Sequence, residues 1–142
     1  MAVPRTPRGI KNNNPANLRL PASSARPGYI GNDKDGFGIF ELPQFGLDSL
    51  ARQLVNYGKG GLDTAAKIIS RWAPPSENNT LAYVEFVAKR LQRGTTDPIN
   101  MKCDFAIASL MDAIIRFENG IQPYPRTMLF KSAQSALTGG KK

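Results

Sequence analysis

Proline and glycine partition this chain more sharply than any other signal. Proline stands at 4, 7, 15, 21 and 27 and glycine at 9, 28, 31 and 36, so the first 36 residues leave no uninterrupted run in which a helix could propagate. They read as loop and extended segments with no helix of any length. "FGIFEL", 37–42, alternates and predicts a short strand. From Pro43 onward the apolar period becomes helical. Leu47, Leu50, Ala51, Leu54 and Val55 share a face until Gly58, Gly60 and Gly61 stop the run. "DTAAKIISRW", 63–72, aligns Ala65, Ile68, Ile69 and Trp72 and ends at "APP". After "SENNT", with Asn79 or Thr80 as N-cap, Leu81, Val84, Val87, Ala88 and Leu91 form a third stripe. The longest helix is predicted over about 103–119. Phe105, Ala108, Met111, Ile114 and Ile115 form its stripe, and Ile107, Leu110 and Phe117 widen it. A helix apolar on so much of its circumference belongs at the centre of a bundle. Gly120 supplies the stop, and a short helix over about 127–137 precedes the "TGGKK" tail. The expected fold is mostly α: a single domain over 1–142 with an irregular N-terminal third, at most a small β element, and flexible ends at 1–7 and 138–142.

Composition limits the chemistry more than the fold. The chain of 142 residues suits one core, which would bury roughly two-thirds of the unfolded surface. It contains no histidine, which removes Ser-His-Asp and Cys-His catalysis and histidine-based zinc sites. The one cysteine, Cys103, permits no intrachain disulfide and reads as an inert buried thiol. Catalysis, if present, must come from carboxylates, Lys, Tyr or an oxygen-liganded metal. The Asp33/Asp35 pair in "GNDKDGFG" lacks the rest of a calcium loop, so no metal and no cofactor is expected. The balance of 19 basic against 11 acidic residues, net +8, favours an anionic partner: nucleic acid, an anionic lipid surface or the polymers of a bacterial wall. The N-terminus lacks an apolar signal region and no run approaches the length of a membrane span. The expectation is synthesis in a host cytoplasm, followed by association with a virion or release to the periplasm and wall.

Two carboxylates stand out. Glu118, in "RFENG", falls in the last turn of the longest helix. The negative end of the helix dipole and the apolar neighbours Ile114, Ile115 and Phe117 both disfavour a charged carboxylate there. A carboxyl that keeps its proton is what protonation of a glycosidic oxygen requires. The plain alternative is an exposed Glu at a frayed helix end. Glu77 lies in a polar loop and is the second candidate; its plain reading is a first-turn carboxylate facing a helix N-terminus. Glu41 reads as a solvated strand end. Trp72, the only tryptophan, either stacks on a sugar or closes the core. Tyr57, Tyr83 and Tyr124 are candidates for hydrogen bonds to sugar hydroxyls, or ordinary rim residues.

Four segments carry a resemblance. "RGIKNNNPANLR", 8–19, resembles the N-terminal Arg-Gly-Ile-Arg-Asn-Asn-Asn-Pro-Gly-Asn-Ile-Arg signature of a phage and prophage muralytic virion-protein family, with Lys11, Ala16 and Leu18 as departures. "RWAPPSENNTLAYVEFVA", 71–88, is similar to that family's central signature and almost intact. "FGIFELPQFGLDSLARQLVNY" and "RFENGIQPY" complete the match, with Asp48 and Ser49 standing where Arg-Ala is usual. The family includes the lytic enzyme of enveloped double-stranded-RNA phages and is similar to lysozyme-like lytic transglycosylases. In the latter a catalytic Glu ends a helix and a Ser-Gly-Gly and Asn-Pro element follows. Here "RFENG" lies late and "NNNPANLR" early, which implies a circularly permuted lysozyme-like arrangement. The resemblance makes Glu118 the catalytic residue, has Asn13, Asn14 and Asn17 line its cleft, and sets Glu77 and Asn79 to fix the loop beside it.

The resulting expectation is a peptidoglycan-degrading enzyme, a lytic transglycosylase or muramidase, that cleaves the bond between N-acetylmuramic acid and N-acetylglucosamine. Substrate contacts would come from Asn13, Asn14, Asn17, Trp72, Asn79, Tyr83 and Tyr124. Some members of the resembling group are described as endopeptidases, which leaves peptide-bond cleavage as a rival. The other rival is a non-enzymatic basic virion structural or nucleic-acid-binding protein. Against nucleic acid, the basic residues are scattered and no binding signature appears. Other virion proteins are further expected partners.

Overall fold

A computed structural model describes residues 6–74 and 79–139. Glu77 therefore lies outside the described residues, as do 1–5 and 140–142 of the expected flexible ends. The described elements are six helices and one hairpin: α1 (Arg8–Lys11), β1 (Tyr29–Asn32), β2 (Gly38–Phe40), α2 (Pro43–Lys59), α3 (Ala65–Trp72), α4 (Thr80–Leu91), α5 (Asp104–Asn119) and α6 (Arg126–Leu137). The mostly helical single domain with a small β element matches the expectation. Two details of the N-terminal third differ from it. A single helical turn, α1, opens after Pro7, whose fixed φ suits a helix entry. The strand predicted at 37–42 is shorter, and its partner β1 was not foreseen.

The strands pair antiparallel with Tyr29 opposite Phe40 and Asn32 opposite Gly38, and the register shifts between Tyr29 and Gly31. The connecting turn is built by Asp33, whose Oδ1 accepts from the backbone N–H of Asp35 (2.9 Å) and Phe37 (3.0 Å). Both aspartates are also tied to Arg8, which joins α1 to the hairpin. Burial opposes the charge on Asp33. The hydrogen bonds from Asn12, Phe37 and Asp35, with the Arg8 guanidinium, outweigh it and hold the carboxyl below its ordinary range. The Asp33 carboxylate thus builds the turn, and the Asp35 carboxylate anchors it to Arg8.

α5 is the central helix. Ile107, Leu110, Met111, Ala113, Ile114 and Ile115 are wholly buried, and α2, α4 and α6 pack around them. Each such aliphatic side chain contributes about 1.5–3 kcal/mol on burial. Three residues placed in apolar stripes by the sequence face solvent instead: Leu81 (68% exposed), Phe105 (57%) and Phe117 (37%). In α4 the buried face runs through Thr80, Tyr83, Val84, Val87 and Ala88, which leaves Leu81 outside it. α2 and α6 are joined through polar groups as well. Gln44 Nε2 donates to Ser132 Oγ at 2.7 Å, and the buried Ser132 hydroxyl donates to Asp48. Thus Asp48 is occupied in holding two helices together. No helix among the described residues is long and apolar enough to cross a membrane.

Candidate active site

The last turn of α5 delivers Glu118 to the surface, and Gly120 ends the helix in the left-handed conformation (φ 74°). Two donors from distant parts of the chain converge on the carboxylate. Asn17 Nδ2 donates to Oε1 at 2.9 Å, across 101 residues of sequence. Tyr83 Oη donates to Oε2 at 2.8 Å. Tyr83 is buried (1% exposed) and its ring stacks on Phe117 with centroids 3.9 Å apart. Burial, then the charge of Glu118 and the hydrogen bond to it, push the Tyr83 hydroxyl far above its ordinary range, with a smaller opposing influence from the Trp72 side chain. Tyr83 is therefore a protonated donor throughout neutral pH.

The N-terminal segment is folded to present Asn17. Asn14 is buried, and its side chain binds Leu18 O (3.0 Å), Gly38 O (2.9 Å) and Leu18 N (3.0 Å). Asn13 donates to Phe40 O at 3.1 Å and Glu41 O at 3.3 Å. Asn13 and Asn17 both adopt φ 53°, a left-handed conformation that Asn tolerates better than most residues. Asn119 Nδ2 donates to Pro15 O at 2.7 Å and fastens the same segment to the end of α5. Gly9 closes the arrangement. A methyl group there would come within 2.6 Å of Asn119 Oδ1, 2.8 Å of Asn14 O and 3.0 Å of Asn17 Oδ1. The oxygens of Asn17 and Asn119 are buried without a hydrogen-bond donor and lie beside this glycine. "RGIKNNNPANLR" and "RFENG" thus form one contiguous unit in space.

Glu118 borders an open cleft of about 590 Å³. Its walls are Leu18, Arg19, Leu20, Arg26 and Phe37 from the N-terminal third, Gln53 and Tyr57 of α2, and Trp72 and Ala73 at the end of α3. Trp72 and Tyr57 meet edge to face at 6.5 Å. Arg26 is held by Ser49 and by Gln53 Oε1 (3.2 Å); burial, then the neighbouring Arg52, lowers its pKa from the ordinary guanidinium value. Arg19 donates to Asp35 O at 2.7 Å and lies 4.2 Å from the Phe37 ring centroid. Among the described residues the cleft therefore combines the Glu118 carboxylate, the Arg19 and Arg26 guanidiniums and the aromatic side chains of Phe37, Tyr57 and Trp72.

The sequence-derived candidates separate on this geometry. Glu118, Asn17, Tyr83 and Trp72 come together, and Tyr57 joins them in the wall of the cleft. Asn13 and Asn14 brace the backbone instead of lining the cleft. Asn79 is the N-cap of α4, accepting from Ala82 N at 3.3 Å. Tyr124 borders a different cavity. Cys103 is half-buried at the N-cap of α5, not fully buried as expected. Among the described residues no group of three or more His, Cys, Asp or Glu is placed to hold a metal. Arg26 and Gln53 carried no local signal, because each looks like an ordinary surface polar residue; Arg19 closes the "RGIKNNNPANLR" signature, but its place in the cleft did not follow from it.

No protein-family model matches the chain. It is 36% identical over 122 residues to Protein P5 of Pseudoalteromonas phage PM2, an alignment covering 82% of this chain and 74% of that protein. The chain belongs to the family of phage proteins that includes Protein P5 of phage PM2.

Proposed function

We propose that this chain is a phage-encoded peptidoglycan-degrading enzyme of the lytic transglycosylase type, with Glu118 as its single acid and base. The observation that carries the reading is the Glu118 carboxylate itself, which borders the cleft and accepts from Asn17 Nδ2 at 2.9 Å and Tyr83 Oη at 2.8 Å. A hydrolase with two carboxylates needs a partner about 5–9.5 Å away. An intramolecular route needs none. Protonated Glu118 gives its proton to the oxygen linking N-acetylmuramic acid to N-acetylglucosamine, and that bond breaks. The resulting carboxylate takes the proton of the muramyl 6-hydroxyl, whose oxygen closes on the same anomeric carbon. The product is an anhydro ring, no water is consumed, and Glu118 returns to its starting form.

Tyr83 and Asn17 suit the two halves of this cycle. Both donate to the carboxylate. When Glu118 carries the proton, the Tyr83 hydroxyl can turn to accept, since a phenol is both donor and acceptor. Trp72 and Tyr57 offer aromatic surface to a sugar, and Arg19 and Arg26 offer cations to the carboxylates of wall peptides. The likeness of "RFENG" and "NNNPANLR" to the permuted halves of a lysozyme-like site supports the same reading, as does their contact here. Association with a virion, and through it with other virion proteins, is the delivery route we propose for a member of a phage family.

Mass spectrometry of fragments released from purified sacculi tests this. Anhydro-muropeptides are the expected product. Reducing ends would make the enzyme a muramidase, free peptide ends an endopeptidase, and no release at matched protein concentration a non-enzymatic protein.

A further inference from the structure

A second cavity, about 450 Å³, lies between the C-terminal end of α4, α5 and the start of α6. It is bordered by four arginines, Arg90, Arg93, Arg116 and Arg126, and by one carboxylate, Asp112. Arg116 and Glu118 are two residues apart on α5, about 200° around the helix, so this cavity and the Glu118 cleft occupy opposite faces. Asp112 acts as a brace. It accepts from Arg116 Nε (3.0 Å), Arg90 Nη2 (3.3 Å) and Gln122 Nε2 (2.7 Å), and so fixes two guanidiniums with their remaining donors free. Arg126 is exposed at the first position of α6, whose N-cap Pro125 supplies no side-chain acceptor. The free N–H groups of that turn add to the positive field. The floor is apolar, with Phe105 and Phe130 6.2 Å apart. Tyr124 contributes a hydroxyl that is buried and has no hydrogen-bond partner.

We propose that this cavity binds the carboxylates of a short acidic peptide. Guanidiniums held in fixed orientation recognise planar carboxylates in bidentate fashion. Two features favour a peptide over a nucleic-acid backbone. The site is a small concavity where a duplex requires a broad surface. Its Phe105–Phe130 pair suits methyl groups and aliphatic stems. The inference goes beyond the reaction proposed for Glu118, which supplies only the natural source of such a peptide: the stems of the same wall.

Calorimetric titration with a synthetic wall stem tetrapeptide, free of glycan, tests it. Saturable binding by the full chain is expected, and it should vanish when the peptide carboxylates are amidated. Arg126→Ala and Arg116→Lys should each weaken binding about tenfold, the scale of one charge-assisted contact. Glu118→Gln should bind as the unmodified chain does. Absence of binding overturns the proposal, as does binding abolished by Glu118→Gln, or equally tight binding of inorganic phosphate or a duplex oligonucleotide. Anhydro-muropeptide release without tetrapeptide binding would overturn this site and leave the Glu118 reading standing. Tetrapeptide binding without wall cleavage would do the opposite.

Discussion

Tyr83 and Glu118 are joined by a 2.8 Å hydrogen bond between two helices, with the phenol 1% exposed and the carboxylate at the cleft. The stacked Phe117 ring fixes the phenol plane, so the hydroxyl can exchange donor and acceptor roles without moving the ring. Tyr83→Phe keeps the packing and removes one donor. Its expected effect is a loss of about tenfold or more in lytic rate, with stability changed by about 1 kcal/mol. Turbidity loss of sacculi and thermal melts measure the two quantities. An unaltered rate would reduce Tyr83 to a structural residue.

The same phenol gives the fold an alkaline limit. Its pKa is raised on folding, so the folded state keeps a proton that the unfolded chain releases near its ordinary value of 10.0. The stabilisation is complete below that pH and is lost as pH rises above it. Denaturant midpoints should fall above about pH 10, and the fall should be shallower in Tyr83→Phe. An identical slope in both proteins would contradict the raised value.

Asn17 has a backbone role and, in the proposed reaction, a chemical one; two substitutions separate them. Asn17→Gly keeps access to φ 53° but removes the donor to Glu118. Asn17→Ala removes the donor and also strains the backbone by about 1–2 kcal/mol. Both variants should lose activity to a similar degree, while only the alanine variant loses substantial thermal stability. If the glycine variant retains full activity, the bond to Glu118 has no part in the reaction.

Gly9 holds the N-terminal segment against α5 by offering no side chain. Gly9→Ala places a methyl 2.8 Å from the Asn14 carbonyl, a backbone atom that cannot swing away. The segment must shift, and Asn17 with it. The expected result is a loss of about 1–3 kcal/mol in stability together with most of the activity. Hydrogen exchange should rise over 8–19 more than in α5. Equal protection in both proteins would show that the close approach is not needed.

The helices were legible because α2 to α6 each carry an apolar face at a period no strand can use. Pro43, Asn79 and Gly120 mark ends where local chemistry alone dictates the conformation. The hairpin was half legible. β1 (Tyr29–Asn32) has little apolar patterning, and side-chain turns at Asp33 and backbone pairing create it. Phe105 looked like core because helical spacing cannot distinguish a packed face from the floor of an open cavity. In the candidate site, a helix-end position alone favoured reading Glu118 as an ordinary exposed Glu, and only the resemblance made it the candidate acid. Segment order placed "NNNPANLR" near it, but the bond to Asn17, across 101 residues, was not legible. Tyr83 was expected to face sugar and instead faces Glu118, a pairing set by how α4 crosses α5. The cleft position of Arg26 depends on tertiary contacts with no sequence signature, and that of Arg19, though it closes the "RGIKNNNPANLR" signature, on its contacts with Asp35 and Phe37.

The most direct test of the central claim is the lytic rate of Glu118→Gln on sacculi, with Glu77→Gln alongside. Glutamine keeps the shape of the side chain and can still accept from Tyr83 or Asn17, but it has no proton to give. The account predicts a folded protein with unchanged binding to sacculi and a rate at least about a hundredfold lower, the low end of what general acid catalysis supplies. Glu77→Gln should keep most of its activity. A fully active Glu118→Gln protein beside an inactive Glu77→Gln protein would move the chemistry to the "SENNT" loop and contradict the assignment.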